Sequence, residues 1–132
     1  MASPSSGDAP QTGGYSTPVS PNNDEAALVS AVQQLPTGLL MMVDSSFQNY
    51  RGGVYTYTTC TTAVNHAMLL VGMDQDTTTG QWYWLVKNSW GTGWGESGFI
   101  RIKMTGSNGA GMCGMYQWAW MPPTSFPSPT MV

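Results

Sequence analysis

The sequence predicts an α+β fold that is mainly β, with one N-terminal helix followed by an antiparallel β-barrel or rolled sheet. Two observations lead to this class. Only residues 22–38 have the apolar spacing of an amphipathic helix, whereas the later apolar stretches are short runs bounded by turn residues. Apolar residues make up 41% of the 132 residues and charged residues only 8%, which is enough for one core beneath a weakly charged surface.

The predicted helix lies in NNDEAALVSAVQQLPTG, residues 22–38. Asn22 or Asn23 can cap its N-terminus, and the two acidic residues that follow suit the first turn of a helix. A proline and a glycine then end it. Its apolar face consists of Ala27, Leu28, Ala31, Val32 and Leu35.

The remaining elements are predicted as strands. LLMMV and NHAMLLVGMD are buried runs, and GFIRIK alternates as a half-exposed strand does. Two glycines mark a bend within FQNYRGGVYTY, and QDTTTG is a hairpin connection. The predicted strands cover residues 39–43, 65–74, 81–89, 98–103 and 112–120.

The two ends of the chain differ in composition from its middle. Residues 1–18 are rich in Ser, Pro and Gly and are predicted to form a flexible arm, and residues 124–132 form a Pro-rich tail. Residues 19–123 then make one folded domain. The first residues lack the basic and apolar regions of a signal peptide, and no apolar run is long enough to span a membrane.

Charge and ligand counts exclude several classes of function. A net charge of −3 with four basic residues offers no footprint for nucleic acid or an anionic membrane. Cys60, Cys113 and the single histidine, His66, are three candidate zinc ligands where a structural site needs four. We therefore expect neither a metal nor a cofactor.

One pair of residues suggests chemistry. His66 and Asn88 each lie at the end of an apolar strand, and neighbouring antiparallel strands would bring them together. An amide oxygen that accepts the proton of one ring nitrogen holds an imidazole in one orientation and leaves the other nitrogen free to exchange protons. Trp90 and Trp94 follow Asn88 on a glycine-rich corner, and an indole over that hydrogen bond would exclude water. The alternative is that His66 is a structural histidine.

The motifs NHAMLLVG, KNSWGTGWGESGFIRIK and CGMY resemble the C-terminal, β-rich half of the papain-like cysteine peptidases. Two further segments, NNDEAALVSAVQQLPTG and SFQNYRGGVY, match that half in the same order, so the resemblance covers about residues 19–122. It implies that His66 is the catalytic base and acid, that Asn88 orients its ring, that Trp90 shields the contact and that Trp94 helps form the primed-side wall. It also implies a disulfide between Cys60 and Cys113.

The resemblance further implies a pocket for the substrate residue two before the scissile bond. Val64, Asn65 and Ala67 are the candidate substrate-binding residues beside His66. Trp118 would close the floor of that pocket; the alternative is that Trp118 faces the core. If 112–120 is one strand, Gly114, Tyr116, Trp118 and Trp120 share a face.

The chain departs from this family in one respect. The family's nucleophilic cysteine lies roughly 130–150 residues before the histidine and asparagine, but only 65 residues precede His66. The sequence therefore predicts half of an active site, inactive alone, whose partner is a helical lobe that carries the cysteine and whose substrate is a peptide. Self-association through the uncovered lobe interface is also expected. We expect a lysosomal, vacuolar or secreted protein. The alternatives are a non-catalytic, peptidase-derived binding module and a small aromatic-rich carbohydrate binder.

Overall fold

The structure, a computed structural model, describes residues 16–122. It is mostly sheet with two helices, which confirms the predicted fold class. The elements in chain order are β1 (Thr17–Pro18), α1 (Glu25–Gln34), β2 (Thr37–Met41), α2 (Ser45–Gln48), β3 (Val54–Tyr55), β4 (His66–Gln75), β5 (Trp82–Lys87), β6 (Phe99–Lys103), a 3₁₀ turn (Met112–Gly114) and β7 (Ala119–Met121).

The seven strands form one sheet in the order β1-β7-β2-β4-β5-β6-β3. Every pair is antiparallel except β3 with β6, which is parallel, so the sheet is mixed where the sequence predicted an antiparallel one. Strands β3 and β6 are not consecutive in the chain, because β4 and β5 lie between them. No hairpin joins the two, and they run in the same direction. Strands β4 and β5 form the centre of the sheet, and the register shifts at a bulge between Leu70 and Gly72.

The core lies on one face of this sheet and is closed by α1. Alternate residues of the central strands point into it, as the period of a strand requires. Fully buried side chains on β4, β5 and the neighbouring β6 are Leu70, Trp84, Val86, Ile100 and Ile102. The Trp84 indole N–H donates to the Tyr116 hydroxyl at 3.0 Å, so the one polar atom of this buried ring is satisfied.

Helix α1 begins one to two residues later than predicted. Its N-cap is Asp24, whose Oδ1 accepts from the Ala27 N–H at 2.9 Å, and not Asn22 or Asn23. Asn23 has φ 57° and turns the chain into the helix instead. Leu28, Ala31 and Val32 are buried as the periodicity predicted, while the other two residues of the predicted apolar face are only half-buried.

The predicted strand over residues 112–120 is wrong for most of its length. Positive φ values at Cys113 (51°) and Gly114 (81°) coil the chain into the 3₁₀ turn, and only Ala119–Met121 is a strand. A Cβ at Gly111 would lie 2.5 Å from the Tyr116 ring, which shows how closely this turn packs. The predicted alternation of faces is therefore also wrong, because the consecutive residues Cys113, Gly114, Met115 and Tyr116 are all buried.

The sheet begins slightly before the predicted domain boundary. Thr17 pairs with Met121 and Pro18 with Trp120, so the last two residues of the predicted arm form β1. The rest of that arm up to residue 15, and the predicted tail 124–132, lie outside the described residues. Within residues 16–122 there is no helix with the length and apolarity needed to cross a bilayer.

Candidate active site

The two residues predicted to pair are in contact. His66 is the first residue of β4, and Asn88 directly follows β5, its antiparallel neighbour. Nε2 of His66 lies 2.9 Å from Oδ1 of Asn88. Asn88 is only 3% exposed, so this hydrogen bond is protected from water on the amide side.

A neighbouring backbone group fixes which way the Asn88 amide points. Oδ1 also accepts from the Ser89 N–H at 2.7 Å, and an N–H can only be satisfied by the oxygen of the amide. Since that oxygen is an acceptor, Nε2 of His66 must be the protonated ring nitrogen. In the neutral imidazole Nδ1 then keeps its lone pair, and within residues 16–122 the hydrogen bond of this ring is the one from Nε2 to Asn88.

An indole packs against the imidazole of this pair. The rings of His66 and Trp90 lie 5.0 Å apart at 39°, and Trp90 is itself 40% exposed on its outer side. Trp94 stands edge-on to Trp90 at 5.4 Å, and its indole N–H donates to the Gln48 carbonyl at 3.2 Å. The two tryptophans therefore form one connected wall beside the imidazole.

Phe47 supports this wall from below, and sequence reasoning missed it. It is fully buried, with its ring 5.0 Å from Trp94, 5.6 Å from Trp90 and 6.4 Å from His66. Helix α2 carries it, and the Asp44 carboxylate caps that helix by accepting from the Ser46 and Phe47 N–H groups at 3.0 and 3.3 Å. The stretch DSSF contains this capping pattern, but at four residues the helix is too short to show periodicity.

The glycine-rich corner after Trp90 is a packing requirement. A Cβ at Gly95 would lie 2.6 Å from the Phe99 carbonyl and 3.2 Å from the Tyr50 ring, and the residue has φ 60°. Any side chain there would displace the strand that follows. Glycine lets the chain turn back into β6 at this point.

An ion pair closes the base of the corner. The Arg101 guanidinium donates two hydrogen bonds to the Glu96 carboxylate, both at 2.8 Å, and Glu96 also accepts from the Gly53 N–H at 2.9 Å. The hydrogen bonds from Arg101 hold the pKa of Glu96 below its usual range, and burial opposes them. This pair ties the corner to the loop that leads into β3.

The predicted substrate-binding residues do not share one cavity. Ala67 is exposed and lines an open groove of about 370 Å³ with Leu69 and Lys87. Trp118 is 57% exposed and lines a separate apolar groove of about 440 Å³ with Val19 and Leu40. Because Ala67 pairs with Leu40 in the sheet, the two grooves lie on adjacent strands.

The other two candidates lie beside the histidine. Val64 is half-buried in the segment that precedes β4. The Asn65 amide is bonded within the chain: Oδ1 accepts from the Val43 N–H at 2.8 Å, and Nδ2 donates to the Val43 carbonyl at 3.0 Å. The structure thus brings His66, Asn88, Trp90 and Trp94 together and leaves the predicted pocket residues dispersed around them.

The cysteines are bonded to each other, as predicted. The disulfide joins Cys60 to Cys113 with a Cα–Cα distance of 5.3 Å, and it links the segment before β4 to the 3₁₀ turn. Neither sulfur is therefore available as a nucleophile or metal ligand. Among residues 16–122, no group of three or more His, Cys, Asp or Glu side chains could hold a metal ion.

Comparison with known proteins gives the family to which this site belongs. The family described as papain family cysteine protease matches residues 5–122. Fruit bromelain of Ananas comosus is 41% identical over 93 residues, 70% of this chain, and papain of Carica papaya is 42% identical over 104 residues, 79% of this chain. The chain belongs to the papain family of cysteine proteases.

Solved structures agree with this assignment. The bromelain protease of Ananas comosus, solved in complex with the E64 inhibitor, superposes with a TM-score of 0.77 at 36% identity over 83% of this chain and 50% of the other. The proform of the ragweed pollen allergen Amb a 11 gives a TM-score of 0.75 at 35% identity, over 83% of this chain and 33% of the other. This chain spans about a quarter of the two curated relatives, 26% of fruit bromelain and 28% of papain.

Proposed function

We propose that this chain is the C-terminal catalytic lobe of a papain-like cysteine endopeptidase, and that it supplies His66 and Asn88 to a cysteine on a separate helical lobe. The observation that carries the proposal is the 2.9 Å contact between Nε2 of His66 and the amide oxygen of Asn88. With Nε2 held as the donor, Nδ1 is the ring nitrogen left to exchange a proton with a thiol. The chain's two cysteines are bonded to each other, which supports a nucleophile from elsewhere.

The chemistry then proceeds in two steps. Nδ1 takes the proton of the thiol, the thiolate attacks the peptide carbonyl carbon, and the imidazolium returns that proton to the leaving amine as the C–N bond breaks. In the second step Nδ1 takes a proton from water, whose oxygen attacks the thioester and releases the acid and the thiol. The amide of Asn88 is a neutral acceptor, so it orients the ring in both steps without binding a proton itself.

The aromatic wall has two roles in this proposal. Trp90 covers the His66–Asn88 hydrogen bond, keeps water off it and so strengthens it. On its other side Trp90 lines a groove of about 560 Å³ together with Trp94, Gln48 and Arg51. Trp90 lines this groove and also packs on the imidazole, so the groove suits the substrate residues that follow the scissile bond.

The missing lobe is the proposed partner. Large apolar side chains that are exposed in this chain include Leu69, Trp90 and Trp118, each at least 39% exposed. Leu69 lies in the groove that Asn88 also lines, and Trp118 lies in the separate groove with Leu40; a second lobe would cover both. Without that lobe we expect this surface to drive self-association. A disulfide and the membership of this family fit a lysosomal, vacuolar or secreted location.

A non-catalytic module is the second candidate. It accounts for the same disulfide, which leaves the chain without a thiol nucleophile of its own. In that case the lobe would bind a partner through the same exposed grooves without turning over substrate.

Reconstitution separates the two. This chain is mixed with a helical lobe that carries a papain-like nucleophile, and thiol-dependent hydrolysis of a fluorogenic peptide is measured, with His66→Ala as the matched variant. Activity that depends on both chains and on His66 supports the peptidase. A stable complex that hydrolyses no peptide, whether it contains the unchanged chain or His66→Ala, supports the binding module.

A further inference from the structure

The loop between β6 and the 3₁₀ turn carries a reactive pair of residues, Asn108–Gly109. Asparagine is a thermally labile residue, because the backbone nitrogen of the next residue can attack its side-chain carbonyl carbon. Glycine hinders this attack least, since it has no side chain and a permissive backbone. Asn108 is the one asparagine in the sequence that a glycine follows, and both residues are exposed to water. In a flexible peptide this pair would therefore lose its amide.

The fold holds both reacting groups in hydrogen bonds. The Gly109 N–H, whose nitrogen would attack, donates to the Asn23 carbonyl at 2.9 Å. Oδ1 of Asn108, on the carbon that would be attacked, accepts from the Glu25 N–H at 2.9 Å. That N–H lies in the first turn of α1, where a helix leaves its amides without an internal partner. The first bond retains the proton that must leave, and the second fixes the side chain against α1.

Further contacts dock the same loop on the start of α1. The Glu25 carboxylate accepts from the Gly106 N–H at 3.0 Å and from the Tyr116 hydroxyl, and the Thr105 hydroxyl lies 3.3 Å from it. At the other end of the loop, the Tyr116 N–H donates to the Ala110 carbonyl at 2.8 Å. The backbone of the reactive pair is thus held from both sides, and its two atoms can meet only when the loop leaves α1.

We propose that Asn108 is a deamidation site that the docking of this loop on α1 keeps closed. When the loop detaches, the Gly109 nitrogen loses its proton and forms a bond to Cγ of Asn108. The bond from Cγ to the side-chain nitrogen breaks, and ammonia leaves with that proton. Water then opens the cyclic imide at one carbonyl or the other, which gives aspartate or isoaspartate. This inference goes beyond the proposed function, since it involves neither the catalytic pair nor a second lobe.

The two products should differ in their effect on the loop. Aspartate at 108 keeps an oxygen that can accept from the Glu25 N–H. Isoaspartate carries the main chain through the former side chain, which lengthens the backbone by one methylene group before Gly109. The bonds to the Glu25 N–H and to the Asn23 carbonyl then cannot both be kept. We expect isoaspartate to release the loop and to remove this cap from α1, and aspartate to leave the loop docked.

Two variants change the docking without changing the reactive pair. Thr105→Val removes a hydroxyl that lies within hydrogen-bond distance of Glu25 and of the Ser107 carbonyl, with almost no change of shape. Glu25→Ala removes the whole carboxylate. Thr77→Val, in the exposed hairpin between β4 and β5, is the matched control.

The first measurement is the deamidation rate of each isolated chain at neutral pH, by peptide-mapping mass spectrometry. Asn49, which is exposed and precedes Tyr50, is the internal reference. Folded, unchanged chain should react at Asn108 about 25-fold more slowly than the same chain in urea, about fivefold for each bond that holds the pair. Thr105→Val should react about fivefold faster than the unchanged chain and Thr77→Val, and Glu25→Ala faster still.

An amide NMR fingerprint shows that each variant is folded, and hydrogen exchange at Gly109 reports how often the loop opens. Exchange and deamidation should accelerate together. If Glu25→Ala does not fold, Thr105→Val decides. Equal deamidation of the folded and the urea-unfolded chain, or of Thr105→Val and Thr77→Val, would overturn the gating. Absence of deamidation at Asn108 in the unfolded chain would overturn the site itself.

The second measurement compares the products. Aged chain is separated by chromatography into its aspartate and isoaspartate forms, and Asn108→Asp is prepared directly. We expect the Gly109 amide to stay protected from exchange in Asn108→Asp and to lose at least about fivefold of its protection in the isoaspartate form. Isoaspartate with the protection of the unchanged chain would contradict the release of the loop.

Discussion

Phe47 is stacked on Trp94, with ring centroids 5.0 Å apart and an interplanar angle of 27°. The contact joins α2 to the glycine-rich corner, two segments separated in sequence by the whole centre of the sheet. It explains how a four-residue helix with no periodicity is held in place. It also identifies the residue on which the aromatic wall depends, since Phe47 contacts both tryptophans.

Phe47→Ala should therefore lower the free energy of unfolding by about 3–5 kcal/mol, the usual cost of emptying a buried aromatic site. The measurement is urea denaturation monitored by far-UV circular dichroism and tryptophan fluorescence. Trp82→Ala is the control. That ring is 45% exposed, so its removal should lower the free energy of unfolding much less. Similar losses for the two variants would show that Phe47 does not support the wall.

The disulfide should also contribute strongly to stability. Cys60 and Cys113 are 53 residues apart, and closing a loop of that length restricts the unfolded chain by about 4 kcal/mol in the chain-entropy model. The double variant Cys60→Ser, Cys113→Ser should lose about that much in urea denaturation. Intact mass after alkylation, with and without reductant, checks the bond itself. Two alkylated thiols in the folded, unreduced chain would contradict the pairing.

The alkaline limit of stability should involve Tyr116. Burial, followed by the hydrogen bond that its hydroxyl donates to Glu25, raises the pKa of Tyr116 from 10.0 to about 12. A raised pKa favours the protonated folded state, so the contribution is complete below pH 10 and is lost as pH rises towards 12. Unfolding free energy should fall more steeply with pH over that window in the unchanged chain than in Tyr116→Phe. If the unfolding free energy falls equally with pH in both proteins, Tyr116 does not set the alkaline limit. Tyr50 and Tyr55, whose pKa values burial also raises, remain in both proteins as the common background.

Sequence patterns predicted the fold where side-chain periodicity was long enough to be read. The central strands and the buried face of α1 follow from alternation and from helical spacing in stretches of five or more residues. The coiled segment around Cys113 could not be predicted from side-chain periodicity. Its backbone has positive φ values, and its glycines pack against Tyr116 and Thr62. An apolar run with glycines at 111 and 114 looks like a strand until those contacts are known.

The site was predictable to a similar extent. The His66–Asn88 contact follows from two polar residues at the ends of neighbouring strands. Phe47 was missed because its helix is a single turn, and the Asn65–Val43 pairing was missed because a side chain replaces a backbone rung there. Neither arrangement leaves a periodic pattern. The shift of the helix cap from Asn23 to Asp24 is a smaller difference of the same kind, since all three adjacent residues are good caps.

Trp118 provides a test of substrate preference in the assembled peptidase. If its indole forms the floor of the pocket for the residue two before the scissile bond, Phe at that position should be cleaved roughly 5- to 150-fold less well than Val, Ala or Pro, because overfilling a packed site costs about 1–3 kcal/mol. A fluorogenic peptide panel measures this. Trp118→Ala should remove the discrimination. Cleavage of the Phe peptide that equals or exceeds the others in the unchanged protein would exclude Trp118 from the floor.

Asn88→Ala in the same complex should reduce kcat about 10- to 100-fold, as losses of orienting partners commonly do. The ring of His66 stays but becomes free to rotate. Asn88→Asp keeps an oxygen for Nε2 and should lose less activity than Asn88→Ala. The opposite order, or no loss with either variant, would contradict an orienting role.

The central claim is that His66 activates a thiol on another lobe, and alkylation kinetics test it most directly. An ordinary cysteine with a pKa of about 8.5 is roughly 0.1% thiolate at pH 5.5, whereas a thiolate paired with an imidazolium is largely ionised there. The rate of iodoacetamide alkylation of the lobe's cysteine is measured at pH 5.5 with this chain and with His66→Ala. The proposal predicts alkylation faster by roughly 100-fold with the unchanged chain. Equal rates with the two chains, in a complex shown to be assembled, would contradict it.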